Sequence, residues 1–320
     1  MELIGKVIGT ELDHFQSYFP EAFNSDIPLL NKILAYLAKQ KGKQMRSMFV
    51  LLCARLGGDV NDSSYRAALF AEMLHTSSLV HDDVLDDSLE RRGAYSVKAL
   101  WNNRAAIWTG DFLFMKSVIL LLSNNDHRLL KIFGGAIEKV IEGELLQMEK
   151  TRRLNLDETV YYDIIKGKTA TLLAACCAAG AASTFREDAP VRKLYAFGEM
   201  LGMAFQVKDD LFDYSHTDIG KPTGNDIKEK KVTLPLLYTL NNCEPSLRKK
   251  LINIVKHKSA DGNAVDFLKE AVEKSGGFTY AEKKMLLFRD EALKLLYEFP
   301  PSATRSAVEE LARYVTDRSK

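Results

Sequence analysis

Four aspartates fall within six positions of "VHDDVLDDS", at Asp82, Asp83, Asp86 and Asp87. Two carboxylates ~4 Å apart repel by roughly 1 kcal/mol in water and by about 4 kcal/mol at an effective dielectric of 20. Something must cancel that charge. Asp82, Asp83 and Asp86 form D-D-x-x-D, and the spacing returns at Asp209, Asp210 and Asp213 in "FQVKDDLFDY". On a helix, positions i and i+4 share a face, and i+1 lies about 100° round. The carboxylates then fan over one helix end as oxygen ligands for a hard divalent cation. Mg²⁺ uses one or two carboxylates and completes its shell with phosphate oxygens and water. A solvated acidic helix end accounts for one such cluster. A second cluster, again after an apolar helical stretch, argues against that reading.

Cations surround the clusters. Arg91 and Arg92 follow the first, and "KGKQMRS" spaces Lys43 and Arg46 on one helix face. Lys168 and Thr169 stand in "KGKTA", and Lys221 and Lys231 flank "PTGNDIKEK". Each alone reads as a solvated surface charge. With two acidic clusters, the set suits a site for two polyanions. One is bridged to carboxylates by metal, and the other is held directly by Lys and Arg.

The elements that must position these groups are helices. "IPLLNKILAYLAKQ", "YRAALFAEMLHTSSLVHDDVL", "WTGDFLFMKSVILLL" and "VRKLYAFGEMLGMAFQVKDDLFDY" carry apolar residues at three- and four-residue spacing. No stretch alternates as a strand would. Most of the eight prolines stand at expected helix boundaries, and Pro235 falls in a first helical turn. The expected class is all-α, with residues 1–320 as one large domain. A more charged helical subregion begins near residue 240. The formal net charge of +1 gives no overall field for nucleic acid. The four cysteines form no CxxC pair and read as buried thiols. The longest uncharged run, Thr169 to Phe185, is short of the ~20 residues of a membrane span. The N-terminus lacks the apolar core of a signal peptide. A cytoplasmic protein without a membrane span is expected.

From roughly residue 30 onward the chain resembles the trans-prenyl diphosphate synthases. The motifs that carry the resemblance are "GKQMR", "LHTSSLVHDDVLDDSLERRG", "IEGELLQ", "KTA", "FQVKDDLFDY" and "GKPTGNDIKEKKVTLPLL". It implies helices around a deep central cavity, usually in a homodimer, and head-to-tail condensation of an allylic diphosphate with isopentenyl diphosphate. It implies about three Mg²⁺ per site, with Mn²⁺ able to substitute. Asp82, Asp86 and Asp209 then match direct metal ligands, while Asp83, Asp210 and Asp213 complete the clusters. Arg91, Lys168 and Lys231, joined by Lys221, match contacts to the allylic diphosphate. Lys43, Arg46, His75 and Arg92 match the isopentenyl diphosphate site, and Thr169, the Lys168 carbonyl and Gln206 match the lining of the carbocation.

Product length is read on the same helix. Short-chain members place an aromatic ring four or five residues before the first aspartate. Here Ser77 and Ser78 stand there, with Leu74, Phe70 and Ala71 below. The expected floor, from a facing helix, is Met115, Val118, Ile119 and Leu122. Two serines leave a tunnel open, and "LHTSSLVHDD" with "IEGELLQ" resembles the medium- and long-chain branch that makes quinone side chains. Octaprenyl diphosphate is the favoured product, then heptaprenyl, extended from farnesyl diphosphate. The alternative reading of the two serines is close helix packing.

Some positions depart from the family pattern. Gln44 and Ser47 replace the usual Arg and Pro of the basic loop, and Lys230 replaces a lid glycine. Rival readings are a short-chain synthase, a terpene cyclase, a non-catalytic subunit of a heteromeric synthase and a helical lipid carrier. Two intact aspartate motifs and the Lys43/Arg46 pair weigh against the last three. Transient membrane contact for product release is also expected.

Overall fold

The computed structural model describes residues 2–40, 42–91, 93–153, 157–214, 227, 231–259 and 261–317. The described residues are mostly helical. The helices are α1 (Glu2–Ala22), α2 (Pro28–Lys39), α3 (Met45–Gly57), α4 (Asp62–Leu85), α5 (Val97–Leu100), α6 (Asn103–Ser123) and α7 (His127–Arg153). They continue as α8 (Glu158–Ile165), a π-helical turn (Lys166–Ala170), α9 (Thr171–Thr184) and α10 (Asp188–Asp213). The last are α11 (Leu234–Asn242), α12 (Pro245–His257), α13 (Gly262–Lys274), α14 (Gly277–Tyr297) and α15 (Ala303–Asp317).

Local chemistry sets the ends. Pro28, Pro235 and Pro245 occupy first turns of α2, α11 and α12, where the missing N–H costs nothing. Asn61 begins α4 with a reciprocal cap: its side chain accepts from Ser64 N at 3.1 Å, and its own N–H donates to Ser64 Oγ at 3.2 Å. The all-α class carries one small addition. Glu90–Arg91 (β1) and Ala94–Tyr95 (β2) pair as a small antiparallel hairpin. Strands of two residues are too short to show alternation in sequence.

The chain divides into two compact units. The first comprises residues 1–134, 175–195 and 299–308. Its centre is the middle of α4, where Ala67, Phe70, Ala71 and Met73 are buried. Phe70 stacks on Phe133 with centroids 4.4 Å apart. The small residues of α9 pack here too. Cys176, Cys177 and Ala181 are fully buried, with Cys53 of α3. Burial pushes the Cys176 thiol up to about 12 and raises that of Cys177, so these two are inert core thiols. The second unit comprises residues 135–174, 196–298 and 309–320. One core cluster gathers Tyr161, Ile165, Met203, Val207 and Leu237, and another gathers Leu236, Leu251, Ile254 and Leu268.

Asn103–Ser123 and Glu158–Thr184 are long and apolar enough to cross a membrane by composition alone, and 33% and 67% of their most apolar stretches are buried. Packing covers most of the second stretch, while the first leaves much of its apolar surface exposed.

Candidate active site

Each unit carries one aspartate cluster, and in both the helix phase divides the labour. In the first unit, Asp82 and Asp83 lie in the last turn of α4 and Asp86 follows its end. Asp82 is half-buried and Asp86 exposed. Asp83 is buried at 4% exposure and accepts from Arg91 Nε at 2.6 Å. Burial pushes its carboxyl above the ordinary range, and the Arg91 bond only partly opposes this. Arg91 therefore has a structural anchor besides its expected diphosphate contact. A guanidinium carries five donors, so one bond need not exhaust it. Asp87, at φ 53, pairs with Lys98, which answers part of the crowding.

The other face of α4 meets α6. Ser77 is buried at 3% exposure, and its Oγ donates to the Gly110 carbonyl at 2.8 Å. The His81 ring fills the place where a Gly110 side chain would stand and lies 3.3 Å from Asp111 Oδ1. Ser78 lies one position round from Ser77, four residues before Asp82 and on the same face as that aspartate. It is half-buried, with its hydroxyl turned back to the His75 carbonyl at 2.9 Å. Leu74 is buried beneath, at 8% exposure. Of the expected floor residues, Met115, Ile119 and Leu122 are about half exposed, at 52%, 53% and 46%. With Trp108 at 73% they form a surface stripe along α6.

The basic loop leads into α3. Gln44 precedes it with φ 50, in the left-handed region. The helix's third residue, Ser47, donates its backbone N–H to the buried Glu72 carboxylate of α4 at 3.1 Å, so an acidic side chain caps the positive helix end. Lys43 is exposed and Arg46 half-buried at this end. Half-buried His75 is three residues along α4 from Glu72. Among the described residues, Gln44 Nε2 is buried without a hydrogen-bond partner. An orphan donor beside Lys43 and Arg46 suits an anion that brings its own oxygens.

In the second unit, "KGKTA" is a π-helical turn, a distortion frequent at functional sites. Its backbone packs closely on neighbouring helices. A Cβ on Gly143 of α7 would stand 2.6 Å from Lys168 N. Only glycine permits that approach. Lys168 extends beside it, pairing with Glu144 at 2.9 Å. Asp209, Asp210 and Asp213 close α10. Asp209 and Asp213 are half-buried, while Asp210 is buried at 3% exposure. Its Oδ1 accepts from Gln206 Nε2 at 2.9 Å and its Oδ2 from the Tyr161 hydroxyl at 2.7 Å. Gln206 Oε1 in turn accepts from Thr169 Oγ1 at 2.7 Å. A cleft in this unit is lined by Gln147, Tyr161, Lys168, Gln206, Asp210 and Lys231.

Of the residues singled out in the sequence, the structure brings Lys168, Thr169, Gln206, Asp210 and Lys231 together. Sequence reasoning missed Tyr161, Glu144, Glu72 and His81. A polar residue inside an apolar helix stretch was the available signal for Glu72. Arg92 and Lys221 lie outside the described residues, as does Lys230. Among the described residues, no three His, Cys, Asp or Glu side chains converge as a preformed metal site. The two less buried carboxylates of each cluster, Asp82 with Asp86 and Asp209 with Asp213, still suit Mg²⁺, which takes its remaining ligands from phosphate and water.

The family model "Polyprenyl synthetase" matches residues 27–273. The chain is 32% identical over 314 residues to heptaprenyl diphosphate synthase component 2 of Bacillus subtilis (strain 168), covering 97% of this chain and 89% of that protein. It is 29% identical to octaprenyl diphosphate synthase of Escherichia coli (strain K12), covering 100% of this chain and 99% of that one. A solved polyprenyl synthase from Caulobacter crescentus CB15, complexed with calcium and isoprenyl diphosphate, superposes with a TM-score of 0.93 at 30% identity, covering 100% of this chain and 98% of that one.

Proposed function

Because the chain belongs to the polyprenyl synthetase family and is a trans-prenyltransferase, we propose that it condenses an allylic diphosphate with successive isopentenyl diphosphates to an all-trans polyprenyl diphosphate. Octaprenyl diphosphate, or heptaprenyl, is the product, extended from farnesyl diphosphate. The observation that carries this reading is the repeated division of each D-D-x-x-D cluster. One carboxylate of each is buried on a protein donor, and the other two are less buried.

About three Mg²⁺ ions, or Mn²⁺ in their place, supply positive charge that stabilises the leaving diphosphate when bound. The chain holds this group through Asp82, Asp86, Asp209 and Asp213, with Arg91, Lys168, Lys221 and Lys231 as direct cationic contacts. Lys168 acts on charge as it develops at the leaving oxygen. Lys43, Arg46, His75 and Arg92, with the orphan Gln44 donor, hold isopentenyl diphosphate without metal, so it is bound but not ionised. Thr169, the Lys168 carbonyl and Gln206 offer oxygen lone pairs to the carbocation. The departed diphosphate takes the last proton.

Ser78 and Leu74 admit the growing chain beside the aspartate face, while Ser77 sets the α4–α6 spacing. Residues 1–320 act as one catalytic domain, with the helices after about residue 240 as its outer part. The half-exposed stripe Trp108, Met115, Ile119 and Leu122 supports a homodimer, since apolar stripes of this kind seek a partner. The enzyme acts in the cytoplasm and touches membrane transiently to release product. Chelation tests the reading: EDTA must abolish isopentenyl incorporation, and excess Mg²⁺ must restore it. Incorporation that persists in EDTA contradicts it.

A further inference from the structure

We infer that Tyr161 is a positioning residue for the cationic step, acting on Thr169 through Asp210 and Gln206; the inference rests on the reaction proposed above. The relay has a fixed direction. An ionised carboxylate only accepts hydrogen bonds. Asp210 therefore requires a donor at each oxygen, and it receives the Tyr161 hydroxyl at 2.7 Å and Gln206 Nε2 at 2.9 Å. With its NH₂ committed to Asp210, Gln206 must turn its oxygen to Thr169. Thr169 then donates its single hydroxyl proton to Gln206 at 2.7 Å. Toward anything else, its oxygen can only accept.

That polarity is what an electron-poor carbon requires. A hydroxyl free to rotate could aim its proton at the developing cation and raise its energy. One whose proton is spent presents lone pairs without reorganising, which is the condition for electrostatic preorganisation. Tyr161 keeps Asp210 in place for this. It is rooted in α8, 7% exposed, with its ring edge-on to Tyr162 at 5.4 Å. Its hydroxyl is the group on α8 that reaches the carboxylate oxygen not used by Gln206. Asp210 thus serves a different purpose from Asp209 and Asp213, and its burial is explained without a metal bond.

A double-mutant cycle tests the relay in the full chain with Mg²⁺, farnesyl diphosphate and isopentenyl diphosphate. Tyr161→Phe should lower kcat about tenfold while both KM values stay within about twofold, because the interaction matters only in the transition state. On a Thr169→Val background the same substitution should cost nothing further. Equal losses in the two backgrounds would overturn the relay, as would a loss confined to KM. A second readout needs no turnover: hydrogen exchange at the Gln206 side-chain amide. It should be protected in the wild type and lose protection in Tyr161→Phe. Protection unchanged by the substitution counts against the relay. Protection that follows the expected pattern in a wild type that joins no isopentenyl units upholds the relay and overturns the reaction instead.

Discussion

Arg91 donates from Nε to the buried Asp83 carboxylate at 2.6 Å, across the turn that ends α4. Tyr161 and Gln206 do the corresponding service for Asp210 at the end of α10. In each D-D-x-x-D the second aspartate is thus turned onto protein, while the first and third share the adjacent face. The two kinds of aspartate should fail differently. Asp82→Ala should lower turnover by orders of magnitude and leave Tm unchanged or raised, since it relieves like-charge crowding. Asp83→Ala should lower both, because it leaves a half-buried guanidinium without its carboxylate, at a cost of about 1–3 kcal/mol. Calorimetry beside steady-state kinetics on the two variants checks this. Equal Tm values would refute the division.

The two diphosphate sites proposed above should give distinct kinetic signatures. Arg46→Ala removes a contact remote from the reacting carbon and should mainly raise KM for isopentenyl diphosphate. Lys168→Ala removes charge at the leaving group and should mainly lower kcat. Glu144 pairs with Lys168 at 2.9 Å, so Glu144→Gln should weaken kcat in the same direction but less. Initial rates with each substrate varied in turn decide it, and one shared signature for Arg46→Ala and Lys168→Ala would count against two sites.

Adjacent serines should part company. Ser78→Phe puts a ring on the aspartate face and should shift products toward farnesyl and geranylgeranyl diphosphate with ionisation chemistry intact. Ser77→Phe puts the ring against α6, where Ser77 meets the Gly110 carbonyl at 2.8 Å. It should chiefly lower Tm, since overpacking a filled core costs about 1–3 kcal/mol. Chromatography of dephosphorylated products and thermal melts separate the outcomes. Unaltered chain length in Ser78→Phe would refute the tunnel.

At alkaline pH the Glu158 site should loosen. Tyr280 donates to both Glu158 oxygens, at 2.7 and 2.9 Å, and burial, then Glu158, pushes its hydroxyl up to about 12. The folded pKa lies above the unfolded value of about 10. The stabilisation is therefore complete below pH 10 and is lost as pH rises through 12. Tyr280→Phe should flatten this part of the stability profile, read by urea denaturation across that range. An unchanged slope contradicts the assignment.

Much of this was legible in the sequence for a physical reason. Helices longer than four turns repeat their apolar faces enough times to be unmistakable, and D-D-x-x-D encodes a shared face directly. What stayed hidden depends on what lies across from a residue. Ser77 and Ser78 are alike in sequence, yet one faces Gly110 and the other the aspartate side. Tyr161 stands beside Tyr162 in an apolar stretch, and only the approach of α10 gives its hydroxyl a partner. The π-turn at Lys166–Ala170 has no signature beyond its glycine. The hairpin at Glu90–Tyr95 is too brief to carry a period.

The central claim is that this chain, by itself, joins isopentenyl units to an allylic diphosphate. The direct measurement is incubation of the purified protein alone with Mg²⁺, farnesyl diphosphate and labelled isopentenyl diphosphate, followed by chromatography of the dephosphorylated products. The account predicts an all-trans ladder ending at heptaprenyl or octaprenyl alcohol. No incorporation without a second, non-identical subunit, or a ladder that stops at geranylgeraniol, would contradict it.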